Sequence, residues 1–186
     1  MRLPAIDVWS VLAGTGMLVY PGLVWFGVAS MPPMLFVVLG FGFLVPRIIS
    51  IGRRARSPVE MIAFPLAAAV LAVLAAASPA MAARVYPVAI SLGTAAVFAA
   101  SLRYPPTVVE RIARLTEPDL SPAGIAYTRK VTWIWVVFLV INAAISLWTA
   151  LFGSLSQWAL WNGLLSYLAM GALFAGEFLV RRRVLP

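Results

Sequence analysis

The sequence predicts an all-α, polytopic membrane protein with six transmembrane helices and a short amphipathic interfacial helix between the fourth and the fifth. Its composition supports this class first. Of the 186 residues, 63% are hydrophobic and only 11% are charged, whereas roughly a quarter of a soluble domain is charged. A spanning helix needs about 20 mainly apolar residues. The chain therefore has room for six spans with short loops and for no separate soluble domain.

Six apolar runs are each near the length that a bilayer core demands. They cover residues 6–28, 34–51, 59–78, 85–102, 131–152 and 157–180. We interpret residues 1–186 as a single transmembrane domain, in which residues 103–130 form a cytoplasmic connector.

The first run resembles a secretory signal, because Arg2 precedes a long apolar stretch. Asp7, however, interrupts the segment that should become apolar, and Pro21 and Gly22 lie inside it. We therefore expect a first span here.

The basic residues indicate the orientation of the chain. Of the 14 Lys and Arg residues, only Arg84 lies in the segments that follow the first, third and fifth runs. The other thirteen lie near the opposite ends of the runs, which should face the other side of the membrane. Basic residues near span ends usually face the cytoplasm. We therefore expect both termini to be cytoplasmic. The placement of basic residues at the cytoplasmic ends of the spans also accounts for the net charge of +8. We therefore expect no nucleic-acid partner.

Small residues at four-residue spacing mark the third and fourth spans. They are Ala68, Ala72 and Ala76, then Ser91, Ala95 and Ala99. Since helices in lipid pack closely through small residues, we expect these two spans to be neighbours and the Ala-rich third span to be central.

Tryptophans fall near the predicted span ends, which is typical of interfacial belts. They are Trp25, Trp148, Trp158 and Trp161 on the outer side, and Trp9, Trp133 and Trp135 on the inner side. An aromatic ligand cage is the alternative interpretation.

Polar side chains inside the last two spans predict an interhelical ladder. A hairpin about residues 154 and 155 would bring Asn142 level with Ser166, and Ser146 level with Asn162. Such bonds favour a structural role, and a substrate contact is the alternative.

Two charged residues complete the candidate intramembrane polar site. Glu177 should lie level with Thr132, near Arg129 and Lys130, and form an ion pair there. Arg47 follows a proline about one turn inside the membrane face, where its guanidinium must reach the headgroups or find a partner.

The connector begins with "SLRYPPTVVERIARL", residues 101–115. After two prolines, apolar residues recur at helical spacing, and the charged residues take the other face. The segment predicts an interfacial helix that either anchors the protein to membrane lipids or docks an acidic or phosphate-bearing partner such as acyl carrier protein. The candidate contacts are Arg103, Arg111, Arg114, Arg129 and Lys130.

Several reaction chemistries have no residues to support them. The sequence contains no cysteine and no histidine, so thiolate nucleophiles, thiolate metal sites and imidazole bases are excluded. All six acids fall on the predicted cytoplasmic side, without the close spacing of a magnesium site. We therefore expect no catalytic residue, no metal and no cofactor.

The opening stretch of the connector, together with "YTRKVTWIWVVFLVINAAISLW", carries a resemblance over residues 85–183. It resembles uncharacterised bacterial inner-membrane proteins encoded with aryl-polyene and xanthomonadin-type fatty-acid synthesis genes. It is more distantly similar to the intracellular septation protein A family. The resemblance implies a bacterial inner membrane and a role in cell-envelope or polyene-lipid synthesis, and it carries no catalytic residues.

These observations favour a non-enzymatic accessory or scaffold protein that holds envelope-synthesis enzymes, with a homo-oligomer as a further option. The alternative is a transporter of a lipid or small amphiphile, which would use Arg47 and the spans kinked by internal prolines. A lipid-modifying enzyme is a third and weaker hypothesis.

Overall fold

The computed structural model describes residues 32–52 and 57–184, and every regular element within these ranges is helical. The helices are α1 (Pro33–Gly52), α2 (Pro58–Ala77), α3 (Pro79–Arg103), α4 (Val108–Ala113), α5 (Pro122–Phe152), α6 (Leu155–Leu160), the π-helical turn π1 (Trp161–Leu165) and α7 (Ser166–Val184). The all-α prediction is confirmed for these residues.

Within the described residues, four helices are long and apolar enough to cross a membrane. They are Pro58–Ala77, Pro79–Arg103, Pro122–Phe152 and the continuous helix Leu155–Arg181. In α1, residues Pro33–Gly42 form a shorter apolar segment. The predicted first span, residues 6–28, lies outside the described residues. The described part of the chain is therefore all-helical and contains four candidate membrane-spanning helices.

Serine caps set where three of the long helices begin. The hydroxyls of Ser57, Ser78 and Ser121 accept the backbone N–H three residues ahead, and a proline follows each serine at the first helical position. The caps extend the fourth and fifth predicted spans, so α3 begins six residues before residue 85 and α5 nine residues before residue 131.

The central helix is α3, which lies between α2 and α5 and also contacts α1. Its pairing with α5 is antiparallel. Ser91 meets Asn142, and the rings of Phe98 and Trp135 lie 6.3 Å apart. The backbone of α7 keeps a greater distance from α5, and side chains bridge the gap between them.

The predicted central position of the Ala-rich span is wrong for the described part of the chain. Its helix, α2, does neighbour α3, but Glu60, Phe64 and Leu71 are its buried residues. Phe64 packs against Gly93, where an added Cβ would lie only 3.1 Å from the ring. The contact between α2 and α3 is thus made by a large side chain opposite a glycine. The stripe of alanines on α2 is left largely exposed.

The predicted tryptophan belts are correct only in part. Trp133 and Trp148 are exposed, whereas Trp135 is 7% exposed and Trp158 only 1%. The indole N–H of Trp158 donates to the backbone oxygen of Arg84 at 3.0 Å. A polar partner on α3 thus holds the ring inside the bundle. Trp9 and Trp25 lie outside the described residues.

We expect Trp158→Phe to lower the stability of the folded protein by about 1–3 kcal/mol, because the hydrogen bond from the buried indole to the part-buried carbonyl of Arg84 is lost and the smaller ring leaves space in the bundle. Trp148→Phe is the matched control, since that ring is exposed and makes no hydrogen bond within residues 32–52 and 57–184. Thermal unfolding in detergent micelles measures both variants. Equal melting temperatures would contradict this role for Trp158.

Candidate functional site

The connector helix α4 is fixed at its start by a reciprocal cap. The hydroxyl of Thr107 accepts the backbone N–H of Glu110 at 3.2 Å, and the Glu110 carboxylate accepts the N–H of Thr107 at 3.4 Å. The next N–H, of Val108, donates to the hydroxyl of Ser101 at 3.1 Å. The first turn of α4 is therefore attached to the end of α3.

Two ion pairs hold the rest of the connector, and we call them the connector ion pairs. Arg111 contacts Glu60 on α2, with 2.8 Å between nitrogen and oxygen. Arg114 donates to one oxygen of Glu110 through two nitrogens, at 3.0 and 2.8 Å. It also donates to the backbone oxygen of Pro118 at 2.8 Å. Each guanidinium compensates a buried carboxylate, since Glu60 is 3% exposed and Glu110 is 5% exposed.

The predicted amphipathic helix is present, but its charged face has a different role. Arg111 and Arg114 point to carboxylates of the protein, whereas Ile112 is 60% exposed and Leu115 is 80% exposed. The reason is the burial of Glu60 and Glu110, because a buried carboxylate needs a cationic partner. Ile112 and Leu115 are left exposed, as the apolar side chains of an interfacial helix would be towards lipid.

The other three candidate contacts remain available. Arg103, Arg129 and Lys130 are exposed and make no salt bridge to any residue that the structure describes. In the antiparallel pairing of α3 with α5, Arg103 at the end of α3 lies level with Lys130. We call these three residues the basic end. The guanidinium of Arg103 lies 5.9 Å from the ring centroid of Tyr104.

One predicted rung of the polar ladder is present. The hydroxyl of Ser146 donates to the side-chain oxygen of Asn162 at 2.7 Å, and the Asn162 amide donates to the backbone oxygen of Trp158 at 3.0 Å. Asn162 lies in π1, whose wider turn is typical of functional or strained positions in helices.

The other predicted rung is replaced. Asn142 donates to Ser91 of α3 at 3.0 Å and does not pair with Ser166. It faces α3 because that helix packs more extensively on α5 than α7 does. Ser166 is itself buried, at 6% exposed. These bonds join helices to one another, which favours the structural interpretation of the ladder.

The predicted partners of Glu177 also differ. Its carboxylate lies 3.8 Å from Arg181 on the same helix, and its backbone oxygen accepts the hydroxyl of Tyr127 at 3.2 Å. Arg129 and Lys130 lie on exposed faces of α5 and form no salt bridge with it. The side chain of Arg47 lies outside the described residues.

A cavity of about 310 Å³ that the sequence does not predict lies between the connector, α3, α5 and α7. We call it the connector cavity. Phe98, Val131 and Trp135 line its inner part, and its residues come from four separate segments, so no spacing in the chain reveals it. The nearest signal is the four-residue spacing of Glu177 and Arg181.

The charged and polar groups of the connector cavity lie towards the connector. Glu117, Glu177, Arg181 and the hydroxyl of Tyr127 form this mouth. No group of three or more acids that could hold a metal ion lies in residues 32–52 and 57–184. The mouth has the polar groups to bind a ligand with charged substituents.

Comparison with protein-family models, curated proteins and solved structures gives no match for this chain. The resemblance of residues 85–183 to proteins of polyene-lipid synthesis therefore stays a prediction.

We expect Arg111→Gln to loosen the connector, because it leaves buried Glu60 without this guanidinium. The cost should be about 2 kcal/mol, below the range of about 3–5 kcal/mol for a fully buried pair, since the Arg111 side chain is 28% exposed. Hydrogen exchange of the amides of residues 107–116 should become faster. Arg103→Gln, which removes an exposed arginine nearby, is the control and should leave exchange unchanged. Equal exchange in the two variants would show that the ion pair does not hold the connector.

Proposed function

We propose that the protein is a non-enzymatic accessory protein of the bacterial inner membrane. It holds enzymes of cell-envelope or polyene-lipid synthesis, or the acyl carrier protein that serves them, at its basic end. The observation that carries this proposal is the exposure of Arg103, Arg129 and Lys130 without carboxylate partners in the described chain.

The connector strengthens the proposal because it is rigidly attached. Its ion pairs to buried carboxylates and its capped first turn fix the chain between α3 and α5. A surface that is already ordered loses less conformational freedom when a partner binds. Arg111 and Arg114 are thus positioning residues, and the basic end supplies the attraction for an acidic partner.

The orientation that we propose has both termini in the cytoplasm and six spans. Arg84 lies near the start of α3 and Arg103 at its end, and a helix of 25 residues is about 37 Å long. The two arginines therefore lie near opposite membrane faces. The excess of basic residues on the Arg103 side favours that side as the cytoplasmic one.

Transport of a lipid or small amphiphile is the second candidate, and the connector cavity favours it. A transport path would have to continue from the cavity to the opposite face. Trp135 and Phe98 close the inner part of the cavity with aromatic rings. The accessory role therefore ranks first, and binding in the cavity does not depend on transport.

Reporter fusions test the orientation. Green fluorescent protein, which fluoresces only when folded in the cytoplasm, should be bright when fused to the C-terminus and when inserted after Pro118 in the connector. Alkaline phosphatase, which is active only outside the cytoplasm, should be active when inserted after Gly153. A dark C-terminal fusion would overturn the six-span arrangement.

Charge reversal tests the docking role. We expect the triple variant R103E/R129E/K130E to bind purified acyl carrier protein at least tenfold more weakly at low salt, because attraction at the basic end becomes repulsion. Arg84→Glu makes the same kind of change near the opposite end of α3 and is the control.

Two further measurements keep the docking test decisive. The melting temperature and the C-terminal reporter show whether the triple variant is folded and correctly inserted. The milder variant R103Q/R129Q/K130Q should show an intermediate loss of binding. Unchanged binding in the folded triple variant, or an equal loss in Arg84→Glu, would contradict docking at the basic end.

A further inference from the structure

We infer that the connector cavity binds one membrane lipid with a phosphoethanolamine head group. The acyl chain would lie on the aromatic inner part of the cavity, and the head group would lie at the charged mouth. This site is separate from the basic end, and its test does not depend on the proposed docking role.

The inner part of the cavity is suited to an acyl chain. The rings of Trp135 and Phe174 lie 4.6 Å apart across the gap between α5 and α7, and Phe98 flanks Trp135 from α3. Trp135 is 7% exposed, whereas Phe174 is 58% exposed on the outer side of the gap. An aromatic wall that faces lipid on one side allows a chain to enter from the bilayer rather than from water.

The dimensions agree with part of one lipid. Along α5, Trp135 in the inner part lies eight positions after Tyr127 at the mouth, which corresponds to about 12 Å of helix. The volume of about 310 Å³ lies at the lower end of the range of about 300–1,000 Å³ for small-molecule sites. The cavity can therefore enclose the interfacial part of one lipid.

The charges at the mouth have both signs. Among the charged residues that line the cavity, Glu117 and Glu177 are acidic and Arg181 is basic. A head group with a negative charge alone would gain one favourable partner and meet two carboxylates. A head group with a phosphate and an ammonium group can place the phosphate at the guanidinium and the ammonium at the carboxylates.

The contact between Arg181 and Glu177 leaves both side chains able to bind a charged group of a ligand as well. Their nitrogen and oxygen lie 3.8 Å apart, and the Arg181 side chain is 44% exposed. Charge-assisted hydrogen bonds are shorter, at about 2.7–2.9 Å, and the connector ion pairs reach 2.8 Å. Since the pair at the mouth is the loose one, a phosphate can contact Arg181 without breaking a strong bond.

The carboxylates also favour ethanolamine over choline. A primary ammonium has three N–H donors, which carboxylate oxygens accept. A quaternary ammonium has none and is bound best over aromatic faces. The aromatic rings of this cavity lie in its inner part, and carboxylates lie at the mouth. The polar groups therefore match a head group that donates hydrogen bonds.

Native mass spectrometry of the full chain tests the inference. The detergent-solubilised protein is titrated with phosphatidylethanolamine, phosphatidylcholine, phosphatidylglycerol and a free fatty acid of equal chain length. We expect one phosphatidylethanolamine to be retained at least fivefold more strongly than each of the other three. Glu177→Gln and Arg181→Gln should each reduce that preference by at least threefold, whereas Arg84→Gln, which changes an arginine near the opposite end of α3, should leave it unchanged.

A fluorescence measurement covers variants that fold poorly. In nanodiscs, phosphatidylethanolamine with brominated acyl chains should quench the tryptophan fluorescence of the wild-type protein more strongly than that of Trp135→Phe. Brominated phosphatidylcholine should not show this difference between the two proteins. Equal retention of all four lipids, or a preference for phosphatidylglycerol or the fatty acid, would overturn the inference. Retention that is the same in Glu177→Gln and Arg181→Gln as in the wild-type protein would also overturn it.

Discussion

The ion pair between Glu60 and Arg111 connects parts of the chain that are distant in sequence. It joins the first turn of α2 to the connector, and residues of the connector form one wall of the connector cavity. A buried carboxylate in a membrane protein carries a large desolvation cost, which an ion pair of good geometry offsets. The position of α4 is therefore determined by electrostatics as much as by apolar packing.

The membrane class and the helix order follow from the sequence because they depend on local properties. Mean apolar content determines which segments need lipid, and Ser-Pro caps such as Ser121 with Pro122 determine where helices begin. The Ser146–Asn162 contact also follows, because a short loop fixes the pairing of adjacent helices. These features require no knowledge of how distant segments pack.

Features that depend on distant segments were predicted poorly. Asn142 pairs with Ser91, 51 positions away, and Arg111 pairs with Glu60 at the same separation. The sequence shows that such residues are polar or charged but not which neighbour satisfies them. The burial of Trp135 and Trp158 could not be predicted for a similar reason. A tryptophan near a span end is suited both to a headgroup belt and to a core, and the packing of distant helices decides between them. The connector cavity combines four segments and was missed altogether.

The connector ion pairs also determine the electrostatic field that an approaching molecule meets. Arg111 and Arg114 each lie against a carboxylate, so each pair is close to neutral beyond its own contact. Electrostatic fields fade over about 8 Å at physiological ionic strength. Among the arginines and lysines that the structure describes in the connector and the adjoining ends of α3 and α5, an approaching molecule would therefore respond mainly to Arg103, Arg129 and Lys130. The number of basic residues in the connector therefore overstates the positive field around it, because two of its arginines are neutralised by carboxylates of the protein.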